Sequence, residues 1–274
     1  MKILIAADME GITGVVNWDQ VTSTHPEYAR FRRLMTEDVN AAIGGALSAG
    51  ATELLVTDGH SHGYNILIED LNPRARLNSG NGSPLGMVQG IDASIDGVFF
   101  VGYHACAGSK NAILDHTWSS ATVSGVWLND LLVGEAGLNA AVCGHFNVPV
   151  LMVSGDQTVC GEAKALLGNL EVAVVKQASG RMSAECLPPS QTHEKICEAA
   201  ARAVQKHLSQ QSPPPFRLPA PIQIRVAFFS SDMADRASML PGVERLNGRE
   251  ISFSNPDMPT AYRAFRAAVS LARG

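Results

Sequence analysis

The feature that most constrains this chain is an alternation of short, mostly apolar runs with longer amphipathic ones. Residues 2–7, 53–57, 97–102 and 148–153 are five- or six-residue runs dominated by Ile, Leu, Val, Phe and Ala. Runs this short, apolar on both sides, suit strands buried between two layers. Between the first two, Tyr28, Phe31, Met35, Val39, Ala42, Ile43 and Ala46 recur at helical spacing. The spacing predicts a helix over 26–49, with Thr24 as N-cap, Glu27 completing a capping box, Pro26 in the first turn and Gly50 as the stop. Further helices are predicted near 158–167, 189–208 and 256–272, and strands near 171–175 and 222–229. This order predicts an α/β fold: a mostly parallel sheet with helices on both faces, plus a smaller C-terminal α+β domain. The change of pattern places the boundary near 155, giving residues 1–155 and 156–274. The proline-rich passage 212–221 reads as a connector.

Composition narrows the function classes. With 46% hydrophobic residues, the chain has material for a large core, which excludes disordered, collagen-like and disulfide-stapled classes. Charged residues make up only 17%, which favours burying surface in a homo-oligomer. A net charge of −5 and no basic stripe argue against nucleic acid as a partner. Five cysteines without a CxxC pair point to reduced thiols and a cytoplasmic location. The apolar start stops at Asp8, too short for a secretory leader, and no apolar run suits a membrane span, so no membrane partner is expected. The glycine-rich stretch 78–90 lacks the dinucleotide-binding spacing and reads as a flexible loop near a pocket.

The chemistry lies where polar residues end the strands. The first run meets Asp8-Met9-Glu10-Gly11, the second Asp58-Gly59-His60, the third Gly102-Tyr103-His104, and the fourth Ser154-Gly155-Asp156. In an open parallel sheet these ends share one edge, where ligands bind. Carboxylates and histidines delivered there make a metal-site constellation, and a carboxylate can bridge two ions. Glu135 and His116 lie between the third and fourth runs and are placed to fold over the same edge. Taken singly, each has a plainer reading: a helix cap for an Asp, a structural role for a His, a surface position for a Glu. His25, His62, His145, His193 and His207 are left as structural or surface residues, and Cys106 as a buried inert thiol. A rival reading is a magnesium-dependent, haloacid-dehalogenase-like phosphatase with Asp8 as nucleophile and Gly155-Asp156 as a later acidic motif. It leaves His60 and His104 without a task, because magnesium prefers oxygen ligands. Histidine favours zinc.

The ordered set Ala7-Asp8-Met9-Glu10-Gly11-Ile12, Met35-Thr36-Glu37, Asp58-Gly59-His60-Ser61, Gly102-Tyr103-His104-Ala105, Asp115-His116 and Val133-Gly134-Glu135-Ala136-Gly137-Leu138-Asn139-Ala140 resembles the zinc-dependent D-aminopeptidases, which assemble as self-compartmentalising rings. Residues 148–153 with Gly155-Asp156, and Val174-Val175-Lys176, extend the resemblance over about two-thirds of the chain; Leu240-Pro241-Gly242 is weaker. The resemblance implies two Zn2+ ions per chain, with Asp8 bridging and Glu10, His60, His104 and Glu135 completing the ligands. It implies a catalytic His116, with proton transfer to the leaving amine as the simpler role and nucleophilic attack as the other. The implied activity is a metallo-aminopeptidase that hydrolyses the N-terminal bond of short D-amino-acid-containing peptides or D-aminoacyl amides, using a water acidified between the ions. A homo-oligomeric ring is also implied, with a decamer as the candidate size and 156–274 engaged in assembly. A metal-binding scaffold without catalysis is the competing class; intact residues at all six positions argue against it.

Overall fold

In the computed structural model, which describes residues 1–274, strand β1 (Lys2–Ala7) lies in the middle of a sheet and is packed from both sides. Ile3, Ile5 and Ala7 point to one face, Leu4 and Ala6 to the other, and all five are fully buried. That is why this run carries no alternation of polar and apolar residues. Its parallel neighbours are β2 (Glu53–Asp58) on one side and β4 (Gly97–Val101) on the other. Beyond β2 lies β3 (Ala75–Asn78); beyond β4 lie β7 (Val150–Asp156), β8 (Glu171–Gly180) and β9 (Ser183–Cys186). Only β9 runs antiparallel.

The Ile3 face is covered by α1 (Tyr28–Ser48) and α4 (Pro189–Leu208), which pack on each other. Phe31, Met35, Val39 and Ile43 are all but fully buried here. At roughly 1.5–3 kcal/mol for each large side chain, this stripe accounts for the helix. A charge at Val39 would break it. The predicted capping box does not form: Glu27 is itself helical and its side chain makes no cap bond. Turn carbonyls hold the first amides instead, with Tyr28 N–H donating to His25 O at 3.1 Å.

The opposite face meets α2 (Glu135–His145), α3 (Gln157–Leu167) and a second, antiparallel sheet. That sheet comprises β5 (Val123–Leu128), β6 (Leu131–Leu132), β10 (Ile222–Phe228), β11 (Glu244–Arg245) and β12 (Glu250–Asn255), in the order β11-β12-β10-β5-β6. Helices α5 (Ser231–Ala237) and α6 (Met258–Arg273) pack beside β10 and β12. The architecture is therefore the predicted α/β type with an additional α+β unit. Residue 155 falls inside β7, and the second sheet takes β5 and β6 from before it and β10 to β12 from after it. No helix is long and apolar enough to cross a membrane.

The carboxyl ends of β2, β1 and β4 stand side by side, with Ala7 in register with Asp58 and with Val101. The turns that follow touch backbone to backbone: Gly11 N–H donates to Gly102 O at 2.8 Å. A Cβ on Gly11 would sit 1.8 Å from Tyr103 O; one on Gly102, at φ 75°, would sit 2.3 Å from Asp8 O. Glycine is required at both positions, because any side chain would separate the two turns.

Candidate metal centre

Asp8 follows β1 directly, and Glu10 is carried two residues on. His60 stands two residues past β2 and His104 three past β4. Glu135 opens α2, and His116 comes from the long segment between β4 and β5. All six are buried. Asp8 divides its two oxygens between two histidines: Oδ1 lies 3.4 Å from His60 Nδ1 and Oδ2 lies 3.4 Å from His104 Nε2. Glu10 Oε2 is 3.0 Å from His60 Nδ1, and Glu135 Oε1 is 3.2 Å from His104 Nε2. His116 stacks on His104, with ring centres 3.9 Å apart. Its Nε2 faces both Glu135 Oε1 at 3.6 Å and Glu10 Oε1 at 4.0 Å.

Each histidine is oriented by a backbone carbonyl on its far nitrogen. His60 Nε2 bonds to Val21 O at 2.9 Å, His104 Nδ1 to Ala105 O at 3.1 Å, and His116 Nδ1 to Leu114 O at 2.8 Å. A carbonyl only accepts, so these nitrogens carry hydrogen, and the remaining nitrogen of each ring points at the carboxylates. This is how metal-binding histidines are held. Two atoms at the centre, Asp8 Oδ2 and His104 Nε2, are buried without a hydrogen-bond partner. Leaving a buried polar group unmet costs about 1–3 kcal/mol, so such a pair calls for a ligand. One oxygen or nitrogen each from Asp8, Glu10 and His104, and likewise from His104, His116 and Glu135, lie within 4.8 Å of one another. The donor set of carboxylates and imidazoles fits zinc.

Electrostatics agree. Burial alone would raise the Asp8 and Glu10 pKa values, but the neighbouring histidines outweigh it and hold Asp8 well below the usual range. Burial opposes charge on His60 and His104, yet Glu10 and Asp8 push the first, and Glu135 and Asp8 the second, well above 6.5. The carboxylates thus demand compensating positive charge at this spot. His116 differs: burial, reinforced by the adjacent His104, lowers its pKa and favours the neutral ring.

Supporting groups complete the site. Trp118 N–H donates to Glu135 Oε1 at 2.7 Å, and the Trp18 ring meets His116 edge-on at 5.4 Å. Asp58 accepts from the Asn65 and Ile66 amides and from the Asn65 side chain, fixing the loop that presents His60. Asp115 pairs with Arg181 at 2.8 Å, fixing the segment of His116. Lys176, on β8, donates to the carbonyls of Glu10, Ile12 and Val15, and sequence reasoning assigned it no role.

The centre lines a cavity of about 720 Å³, which α6 also lines with Arg263, Arg266 and Arg273. Asn81, Ser83 and Pro84 of the glycine-rich stretch border it, as expected of a loop near a pocket. His62 stands exposed at its margin, 3.1 Å from Asn81 Nδ2. Cys106 is buried and its thiol is pushed up to about 11, which suits an inert role. The phosphatase reading loses its second motif: Asp156 spends its oxygens on the amides of Thr158, Val159 and Ile113 as the cap of α3.

Fold and site together define a metal-dependent hydrolase of α/β architecture, its ligands gathered at the carboxyl edge of a parallel sheet. A profile of the D-aminopeptidase family matches residues 1–267. The chain is 38% identical to a D-aminopeptidase of Bacillus subtilis (strain 168), over 99% of this chain and 98% of that one. It superposes with a TM-score of 0.96 and 37% identity on a solved structure described as the zinc-dependent D-aminopeptidase DppA from Bacillus subtilis, a self-compartmentalizing protease, covering 100% of this chain and 98% of that one. The chain belongs to the D-aminopeptidase family.

Proposed function

We propose that this protein is a zinc-dependent D-aminopeptidase that binds two zinc ions per chain and releases the N-terminal residue from short D-amino-acid-containing peptides or D-aminoacyl amides. The observation that carries the reading is the pair of unpartnered buried atoms, Asp8 Oδ2 and His104 Nε2, amid three carboxylates and three histidines. Asp8 would be the ligand shared by both ions, a reading supported by its two oxygens facing different histidines. Glu10, His60, His104 and Glu135 would complete the ligands. Zinc bound there would polarise a carbonyl oxygen and lower the pKa of water toward neutrality.

The residues of the chain do the rest. Carbonyl contacts keep the three imidazoles from rotating, so the ligand nitrogens of His60 and His104 and the proton-transferring nitrogen of His116 need little reorganisation. Trp118 N–H fixes the Glu135 carboxylate. His116 remains for proton transfer: with Nδ1–H given to Leu114 O, its Nε2 is free to take a proton and pass it to the leaving amine. Its lowered pKa supports the neutral, proton-accepting form at pH 7.

The assembly is a homo-oligomeric ring, with ten subunits as the candidate size and residues 156–274 contributing to its contacts. Support comes from the low charge content and from the 41% and 51% exposure of Leu131 and Leu132. Cytoplasmic location is supported by five free cysteines. The test is elemental mass spectrometry on protein purified without chelator, combined with hydrolysis of D-alanyl-D-alanine and its L,L counterpart. Two zinc ions per chain, lost in Asp8→Ala, and turnover of the D,D-dipeptide are expected. Tightly held magnesium with phosphate-ester turnover would overturn the reading.

A further inference from the structure

The α6 side of the cavity that holds the metal centre carries charge that the mechanism leaves unused. Arg263, Arg266 and Arg273 are spaced by three and seven residues on α6, which puts them on one stripe, while Tyr262, Phe265 and Val269 fill the core behind. The protein's arginine ion pairs involve Arg30, Arg76, Arg181, Arg202, Arg225, Arg236 and Arg245, and none of these three. Asp257 is influenced by Arg263, but from beyond ion-pair distance. A guanidinium offers five N–H donors, so the trio holds about fifteen. Protein oxygens take only four bonds from them: Thr260 Oγ1 from Arg263, Ser83 O and Pro84 O from Arg266, and Trp118 O from Arg273. Arg266 is held beside the Trp118 and Tyr262 rings, at 5.7 and 5.9 Å, with its Nε and Nη2 making no bond to the protein. Arg273 also lies in the last turn of α6, where positive charge is favoured in any case, so Arg263 and Arg266 carry the argument.

One cavity is therefore lined both by acidic, metal-binding residues and by arginines whose donors are largely free of protein partners. A planar guanidinium matches a carboxylate. We propose that Arg263, Arg266 and Arg273 form a subsite for the C-terminal carboxylate of the substrate, making short peptides with a free carboxyl end the substrate class. The inference rests on the peptidase reading above. It makes the three arginines determinants of specificity and leaves the bond-breaking step to the metal centre.

The test compares kcat/KM for D-alanyl-D-alanine and D-alanyl-D-alaninamide, on zinc-loaded wild type, Arg263→Gln, Arg266→Gln and the double variant. Charge-assisted hydrogen bonds predict that wild type prefers the free carboxylate by roughly ten- to a hundredfold, chiefly through KM. In the double variant that ratio should fall toward one, and because it is a ratio, a partly unfolded sample does not distort it. Equal use of both substrates by wild type, or a ratio unchanged in the double variant, overturns the subsite while leaving the peptidase reading intact. Hydrolysis of neither substrate overturns both.

Discussion

Replacing Lys176 with Met tests how the loop that bears Glu10 is held. Lys176 is 1% exposed, and its Nζ donates to Glu10 O at 2.8 Å, Ile12 O at 2.9 Å and Val15 O at 2.7 Å. Its partners are carbonyls, so burial dominates and pushes its pKa down from 10.5 to about 8. That fall corresponds to about 3 kcal/mol spent on burying the charge, at 1.36 kcal/mol for each pKa unit. Methionine removes this penalty but strands three buried carbonyls, at about 1–3 kcal/mol each. Taking the middle of that range, about 6 kcal/mol is lost against about 3 regained, a net destabilisation of about 3 kcal/mol. At about 2–4 °C per kcal/mol for a chain of this size, Tm should drop by about 6–12 °C. Zinc per chain should fall as well, because Glu10 lies in the released loop. Thermal unfolding followed by circular dichroism and elemental analysis of the same preparation give both numbers. A Lys176→Met protein that melts within about 2 °C of wild type and keeps its zinc would refute this account of the clamp.

His116→Ala should retain zinc while kcat falls by about 10²–10⁴, the usual worth of a positioned acid or base; loss of metal along with rate would make His116 a ligand. Gly102→Ala forces a Cβ to 2.3 Å from Asp8 O at φ 75°, so soluble protein should show a lower Tm and reduced zinc, and wild-type values for both would show that the two turns can part at little cost. His193 on α4 lies 3.3 Å from Asp38 on α1, and this contact raises its pKa above 6.5. A raised histidine stabilises most below about 6.5, and the contribution disappears as pH climbs through the folded value. The Tm advantage of wild type over His193→Gln should therefore shrink between pH 6 and pH 8; parallel Tm profiles would show that the pair contributes nothing.

Much of this was visible in the sequence because the central strands are buried on both faces. β1, β2, β4 and β7 are continuous apolar runs, and that run length also marks where each ends and a ligand can begin. His60 and His104 could be picked by position, but not which nitrogen faces the centre. That is set by Val21 O and Ala105 O, and the first of these lies 39 residues away. Helix α2 escaped because it is buried almost all round, leaving no polar face to reveal a period of 3.6; Glu135 stood out by its place between the third and fourth runs and by the family resemblance instead. β5 is broken up by Ser124 and Gly125. Lys176 entered only as the end of the Val174-Val175-Lys176 motif, with no role attached, since its partners are carbonyls, which leave no trace in residue type. The α6 arginines were hidden in the polar face that any amphipathic helix presents.

The interleaving of the two sheets has a consequence for synthesis. β5 ends at Leu128, but its partner β10 begins only at Ile222, so its inner edge waits for more than ninety further residues. At about 5–20 residues per second, the nascent chain carries that edge of β5 unpaired for about 5–20 s. Pairings this distant in sequence are slow to close and leave the chain open to association with other chains in the meantime. Trp127 on β5 ends beneath Arg225 of β10, 3.8 Å from the guanidinium to the ring centre, so its fluorescence would report the moment at which the late strand docks.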